Sequence, residues 1–390
     1  MRVALLAWDY PPAPSGLSTA AREIAESLVE AGADVTVFTL DRTGRARAGG
    51  VTVQGLALPP GGGLARLRLW GALGHLAAPA AFRRAVLAAH AQAPFDVVEA
   101  TNWYAPAVLL AGRRDLPLVT RSSTPAAFTR GGEASVRDRL DGRAADALER
   151  RQARGSAGLI ANTEAHEAVI AQAYHLTGRQ PAAVIGLSLP PEIVRSARAA
   201  AYPDTDTPLH LLFVGRAELR KGFDALLAAV AILAEEQARG ALPPFRLDLV
   251  GVPPGDLPPG LSEAARQRIR ARGRIDAAAL AQAYAEAHAV LAPSRYESFG
   301  LVYQEAMAYG RPVVACAEDA SARAFVGEPG AGPLARAATG PALADAVRPL
   351  LVDPVLRRAY RARALAAAGR FDRARLGRET LALYEAARRR

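Results

Sequence analysis

With 390 residues, of which 51% are hydrophobic, the chain exceeds one ordinary core and reads as two domains of about 200 residues each. A net charge of +10 raises nucleic acid as a partner, but the basic residues run along the whole chain without an aromatic-interleaved module, so no nucleic-acid partner is expected. One cysteine, Cys316, excludes an internal disulfide and a cysteine-rich metal site.

MRVALLAWDY opens the chain as a strand. Its apolar run is too short for a signal peptide, and no later run approaches the ~18 apolar residues that span a bilayer, so a cytoplasmic location is expected. A loop containing Pro11, Pro12 and Gly16, a helix, Gly32 and the strand DVTVFTL complete a βαβ unit, which predicts a doubly wound sheet. Gly16 lies beyond the first strand's carboxyl end, where backbone can approach a phosphate or a sugar. The loop has no GxGxxG, which weighs against a dinucleotide oxidoreductase.

VTVQGLAL is the next strand, and a glycine-rich link leads into an apolar, arginine-bearing stretch from Leu64 to Arg84. That stretch suits a helix packed on the sheet, with weak peripheral membrane contact as the alternative. FDVVEATN and LPLVTRSS follow as strands, bringing Glu99, Asn102, Arg121, Ser122 and Ser123 toward the ligand edge. After a long helix come GLIANTEAH and PAAVIGLS, again strands.

Residues 190–208 read as a proline-rich linker, in which Asp204 and Asp206 form an Asp-x-Asp pattern. It precedes a strand rather than following one, so solvated linker acids are expected in place of a metal site. HLLFVGRAELRKGF then begins a second doubly wound domain, with Arg216 and Lys221 flanking the loop after its first strand. Of the 48 basic residues 47 are arginine, and Lys221 is the one lysine, which marks a position that needs a compact ammonium. FRLDLVG, residues near Arg272 to Ile275, AVLAPS and RPVVAC are further strands, and the remainder is helical with breaks near Pro354 and Gly369.

The stretch PSRYESFGLVYQEAMAYGRP, from Pro293 to Pro312, carries the densest chemistry. A helix is expected to start near Gly300 and stop at Gly310, its amino end suited to phosphate. Glu297 lies in the loop before it and Glu305 about one turn inside, so the two carboxylates reach different parts of one ligand. Carboxylates beside an anion site repel phosphate, so both are read as acceptors for hydroxyl groups.

The pattern GR-x4-KG at Gly215 to Gly222 and E-x7-E at Glu297 to Glu305, with the PP-x2-SG loop and the ALER and GLIANTEAH segments, resembles the family-4 retaining glycosyltransferases of GT-B architecture. The resemblance implies two Rossmann-like domains facing each other across a cleft: an acceptor-side domain over 1–200, a donor-binding domain over 201–370, and a helix over 371–390 that packs back on the first. It implies transfer of a sugar from a nucleotide-sugar, with retention and without a bound metal or cofactor. Arg216 and Lys221 would neutralise the diphosphate and stabilise the leaving group. Glu305 would hold the ribose and Glu297 the transferred sugar, with the backbone of Phe299, Gly300 and Leu301 facing sugar and diphosphate. Gly16 would admit the phosphates, and the base would lie near Arg272 to Ile275, placing Arg274 among the donor-binding residues. Front-side attack, in which the leaving phosphate helps accept the acceptor proton, requires no protein nucleophile.

Two segments depart from that family's pattern. Many members carry histidine in R-x-H-T-P, where this chain has Arg121-Ser122-Ser123-Thr124-Pro125; Ser123 fills the slot with a hydroxyl in place of an imidazole. After PVVA, a usual glycine pair and glutamate are replaced by CAEDASARAFV, which alters the sugar pocket's wall. A non-catalytic sugar-nucleotide-binding subunit and a GT-B epimerase stand as alternatives. The base, the sugar and the oligomeric state are left open, as is the choice among lipid-linked, glycan and small-molecule acceptors.

Overall fold

The computed structural model describes residues 1–13, 15–56, 74–130, 135–203, 207–370 and 372–389. The Asp204/Asp206 pattern and residues 64–73 of the Leu64 to Arg84 stretch therefore lie outside the described residues. The chain divides into two compact units, Met1–Ser188 with Phe371–Arg390, and Leu189–Arg370. Among the described residues no helix is long and apolar enough to cross a membrane.

Among the described residues the first unit has eight strands: β1 (Arg2–Ala7), β2 (Asp34–Thr39), β3 (Gly44–Ala48), β4 (Val51–Gly55), β5 (Val97–Thr101), β6 (Leu118–Arg121), β7 (Gly158–Ala161) and β8 (Ala182–Val184). Their order is β3-β4-β2-β1-β5-β6-β7-β8, parallel throughout except for β3 against β4. The central strands are apolar runs because helices cover both faces of such a sheet. Between the strands run α1 (Gly16–Glu30), α2 (Ala77–Gln92), α3 (Val136–Arg154) and α4 (Glu164–Tyr174). Leu6, Phe38, Phe82, Val98 and Leu118 meet in one buried cluster. Strand β3 was not expected. Its sequence GRARA is exposed along its whole length and lacks an apolar face, and arginines at Arg45 and Arg47 blunt the sheet edge.

The second unit carries β9 (Leu209–Val214), β10 (Phe245–Val250), β11 (Ile269–Gly273), β12 (Ala289–Ala292), β13 (Val313–Cys316) and the two-residue β14 (Leu334–Ala335), all parallel in the order β11-β10-β9-β12-β13-β14. Its helices include α5 (Pro191–Ala199), α6 (Phe223–Ala238), α7 (Ala277–Glu286), α8 (Leu301–Ala308), α9 (Gly340–Val352) and α10 (Pro354–Ala367).

Residues 189–200 belong to this unit rather than to the first, and α5 occupies the segment read as a linker. Pro191 sits at the first helical position, where its missing N–H costs nothing, and α5 packs on α7 and α8. The following residues are fixed as well: buried Arg311 donates to the Ala201 carbonyl at 2.7 Å, and the Tyr202 hydroxyl donates to the His288 carbonyl at 2.9 Å.

After Gly369 the last helix, α11 (Arg373–Arg388), returns to the first unit and packs on α1, β6 and β7. A Cβ on Gly377 would come within 2.2 Å of the Ser27 carbonyl oxygen, so the two helices meet backbone to backbone. Arg373 reaches three carboxylates of α1: Glu23 at 2.5 Å, Glu26 at 2.6 Å and Glu30 at 3.0 Å. The return helix also corrects the expectation that Glu99 and Arg121 face a ligand. Both are buried and paired with each other at 2.8 Å, while Tyr384 donates to Glu99 at 2.5 Å and Arg121 donates to Thr380 at 2.9 Å. A buried ion pair needs its remaining hydrogen bonds met, and α11 supplies one to each partner, leaving Nη1 of Arg121 without one.

Candidate functional site

In the second unit, three connections at the carboxyl ends of neighbouring strands β9, β12 and β13 share one polar network. The loop after β9 closes on Gly222, which has φ 68° and initiates α6. A Cβ there would lie 2.0 Å from the Pro293 carbonyl oxygen, so this loop and the one after β12 touch through their backbones. That approach sets Lys221 against Glu297: its ammonium is 2.5 Å from Oε1, which also accepts from the Ser294 hydroxyl at 2.7 Å. Arg220 completes the arrangement, with Nη1 3.3 Å from Glu297 Oε2 and 3.0 Å from the Tyr296 carbonyl.

Burial alone would raise the Glu297 pKa, but the charges of Lys221 and Arg220 outweigh it and hold the group below its ordinary value. The loop after β13 supports it from behind. Asp319 accepts the Glu297 backbone N–H at 3.0 Å and the Tyr303 hydroxyl at 2.8 Å. Burial, reinforced by the Glu297 charge, pushes Asp319 up to about 6. Phe299 is buried edge-on against Phe325 at 5.3 Å between centroids. Gly300, with φ 82°, begins α8 without a side-chain cap; a Cβ there would strike the Tyr303 ring at 2.3 Å. The helix therefore presents its amino end uncapped by any side chain, next to Leu301.

Glu305, on α8, is 9% exposed and accepts from the Tyr284 hydroxyl at 2.7 Å. Burial raises its pKa to about 7, against the lowering effects of that hydrogen bond and of the Lys221 charge. The site thus holds one carboxylate kept ionised by two cations and a second poised near neutrality.

Other expected residues are placed differently. Arg216 makes no direct contact with Lys221 or Glu297; its side chain is 66% exposed and forms an ion pair at 2.7 Å with Glu218, which in turn lies 3.4 Å from Arg220. Arg220 is the arginine that contacts Glu297 beside Lys221. Arg274 is exposed, just beyond β11, two strands away from β9.

Gly16 and Ser123 belong to the first unit. Gly16 is exposed at the start of α1 with no atom within 4 Å of a built Cβ, so the fold itself does not demand glycine there. Ser123 follows β6. Its hydroxyl lies 2.8 Å from the Thr101 hydroxyl and 3.1 Å from Asn102 Oδ1, and its N–H donates to the same oxygen at 2.6 Å. Asn102 continues through the Tyr174 hydroxyl at 2.7 Å to Glu149 at 2.7 Å, a carboxyl that burial pushes up to about 7. An imidazole does lie near this corner, that of buried His166, with Nε2 3.1 Å from the Ser122 carbonyl oxygen; burial lowers its pKa to about 4, which keeps it neutral.

Sequence reasoning missed Arg220, Ser294, Asp319 and Tyr284. The Arg220-Lys221 doublet before a glycine is a signal for the first. Ser294 lies within the quoted motif, three residues before Glu297, and Asp319 lies in the segment noted only for lacking glycines. Nothing local marks Tyr284, which reaches Glu305 from α7.

Comparison with known proteins matches residues 208–353 to a family described as glycosyl transferases group 1, and residues 15–206 to a glycosyl transferase 4-like domain. A D-inositol 3-phosphate glycosyltransferase of Kineococcus radiotolerans is 33% identical, over 99% of this chain and 95% of that protein. A glycogen synthase of Mycobacterium tuberculosis is 30% identical, over 100% of this chain and 95% of its own. Among solved structures, the sucrose-phosphate synthase of Thermosynechococcus elongatus shares the fold with a TM-score of 0.74 at 23% identity, covering 98% of each chain.

Proposed function

From the premise that this chain belongs to the group 1 glycosyltransferases of GT-B type, we propose that it transfers a sugar, with retention and without a metal, from a nucleoside-diphosphate sugar bound in its second unit. The observation that carries this reading is the Lys221–Glu297–Arg220 cluster beside the uncapped start of α8.

In this reading Lys221 and the amino end of α8 face the donor diphosphate, and their positive charge stabilises the negative charge that grows on the departing oxygen. Arg216 joins them by leaving its exposed pair with Glu218, a pair worth little in water. Glu297 holds Lys221 in position, and its Oε2 retains lone-pair capacity for a hydroxyl of the transferred sugar. Glu305 accepts the ribose hydroxyls. The cationic groups take the part a divalent metal plays in other sugar transfers, and the leaving phosphate takes the acceptor proton. The acceptor supplies a hydroxyl; the two relatives' names, an inositol phosphate glycosyltransferase and a glycogen synthase, point to different acceptors. Arg274 is assigned to the base side of the donor and Gly16 to the acceptor side.

A second reading, sugar-nucleotide binding without transfer, draws on one observation: the Ser123 hydroxyl is already engaged by Thr101 and Asn102. Incubating the protein with a panel of nucleotide-sugars and acceptors, with products followed by mass spectrometry and their anomeric configuration by NMR, separates the readings. A retained-configuration product that survives excess chelator is expected. Donor binding without product across the panel would favour the second reading, and an inverted product or loss of activity with chelator would overturn the stated mechanism.

A further inference from the structure

A second concave surface lies at the opposite ends of the first unit's strands. A groove of about 820 Å³ is lined by Arg113, Arg114, Arg154, Arg179 and Arg388, and no Asp or Glu is among its lining residues. Pro117 leads from it into β6, and Ala157 leads from it into β7. It therefore sits at the amino edge of the sheet, whereas Ser123 follows the carboxyl end of β6. Substrates of doubly wound sheets bind at the carboxyl edge, so this groove is not part of that site.

Its charge is poorly compensated. Arg113 pairs with Asp115, and Arg388 pairs with Asp96 at 2.7 Å. Arg114, Arg154 and Arg179 have no ion pair among the described residues, and all three are exposed. Helices α3 and α11 end at the groove, and their carboxyl ends carry about half a negative charge each, which offsets only part of three guanidinium charges. Like charges gathered in a concavity are unfavourable unless an anion joins them. The size is too large for a lone phosphate and falls within the range of small-molecule pockets, and Pro117, Leu176 and Ala387 add apolar wall.

We propose that this groove is a binding site for a phosphorylated small molecule of nucleotide size, distinct from the donor and acceptor sites. Guanidinium forks grip phosphate oxygens in pairs, and the apolar wall covers the remainder of the ligand. Because Arg388 lies on α11, the ligand bridges the returning C-terminal helix to the body of the first unit and stabilises that docking.

Isothermal titration of ATP and of inorganic pyrophosphate into the full-length protein tests this. Wild type is expected to show two binding events. Lys221→Ala removes one, and the double variant Arg154→Glu with Arg179→Glu weakens the other by about 100-fold or more, as two charge-assisted contacts are lost. The double variant keeps its sugar-transfer rate in the absence of added nucleotide. Full affinity for the second event in the double variant overturns the proposal, as does a single event in wild type that Lys221→Ala abolishes. If Lys221→Ala leaves both events and the double variant removes one, the groove stands and the donor-site reading falls. Vesicles of phosphatidylglycerol and phosphatidylcholine form the remaining arm. Vesicle binding that the double variant loses, with no second soluble event, overturns the proposal in favour of a membrane contact. Should the charge reversals unfold the protein by circular dichroism, Arg154→Gln with Arg179→Gln is read by the same criteria.

Discussion

Glu305 gives donor binding a pH signature that can be worked out in advance. Its carboxyl is buried, and its pKa of about 7 leaves it half protonated at neutral pH. Ribose hydroxyls that donate to the carboxylate favour the ionised form, so binding pulls the pKa down and about half a proton is released per donor bound at pH 7. The same linkage weakens binding by about tenfold at pH 6 relative to pH 8. Titration calorimetry in two buffers of different ionisation enthalpy measures the proton count. An intact nucleotide-sugar is the right ligand, because a terminal phosphate would itself titrate near pH 6. Asp319 and Glu149 also titrate near this range, so the measurement rests on Glu305→Gln, which is expected to abolish both the proton release and the pH dependence. Equal proton release in wild type and Glu305→Gln, or none in wild type, would refute the assignment. Stability without donor moves the other way. The folded pKa lies above the ordinary 4.5, so the contribution of protonated Glu305 is complete below about 4.5 and is lost as pH rises through about 7, up to about 3 kcal/mol. Glu305→Gln is therefore expected to gain stability relative to wild type between pH 6 and about pH 8.

Lys221→Ala is expected to lower turnover by roughly 100-fold or more, since it removes the compact charge from the leaving-group side; a wild-type kcat would refute the role. Gly222→Ala and Gly16→Ala should part company. The first needs φ 68° and would place Cβ 2.0 Å from Pro293, so a loss of several kcal/mol, about 3 or more, is expected in urea unfolding. The second meets nothing within 4 Å and should leave the melting temperature unchanged while lowering kcat/KM, if the glycine serves ligand approach. Arg373→Ala strands buried Glu23 against Glu26 and Glu30 and is expected to cost about 3–5 kcal/mol, read as a lower urea midpoint.

The fold was legible wherever an apolar run or a helix stop carried the signal. The strands from β1 to β13 follow such runs apart from β3 and β11, the latter being IRARG over Ile269–Gly273 and so earlier than the residues near Arg272 to Ile275 where it was expected, and α8 starts and stops at the two glycines that mark it. What escaped lacks local periodicity. GRARA pairs only because β4 offers it an edge, and α5 was hidden by the prolines that flank it. At the site, the motifs placed Lys221, Glu297 and Glu305 on one unit, but spacing could not tell Arg216 from Arg220. Both are arginines of one short loop. The backbone approach at Gly222 turns the second toward Glu297 and leaves the first in solvent.

That geometry also gives a physical reason for the one lysine among 48 basic residues. Lys221 sits with its side chain 18% exposed, on one oxygen of the Glu297 carboxylate whose other oxygen faces the guanidinium of Arg220. A second guanidinium there would bring a second planar fork to one carboxylate, and its donors would be spent in that plane. An ammonium gives one proton to Glu297 and retains two that point elsewhere, in directions a rotating head can adjust to a diphosphate. Arginine at 221 would keep the charge and lose that freedom. A chain that uses arginine at every other basic position thus departs from its habit where the proposed chemistry needs a point charge that is both anchored and able to donate.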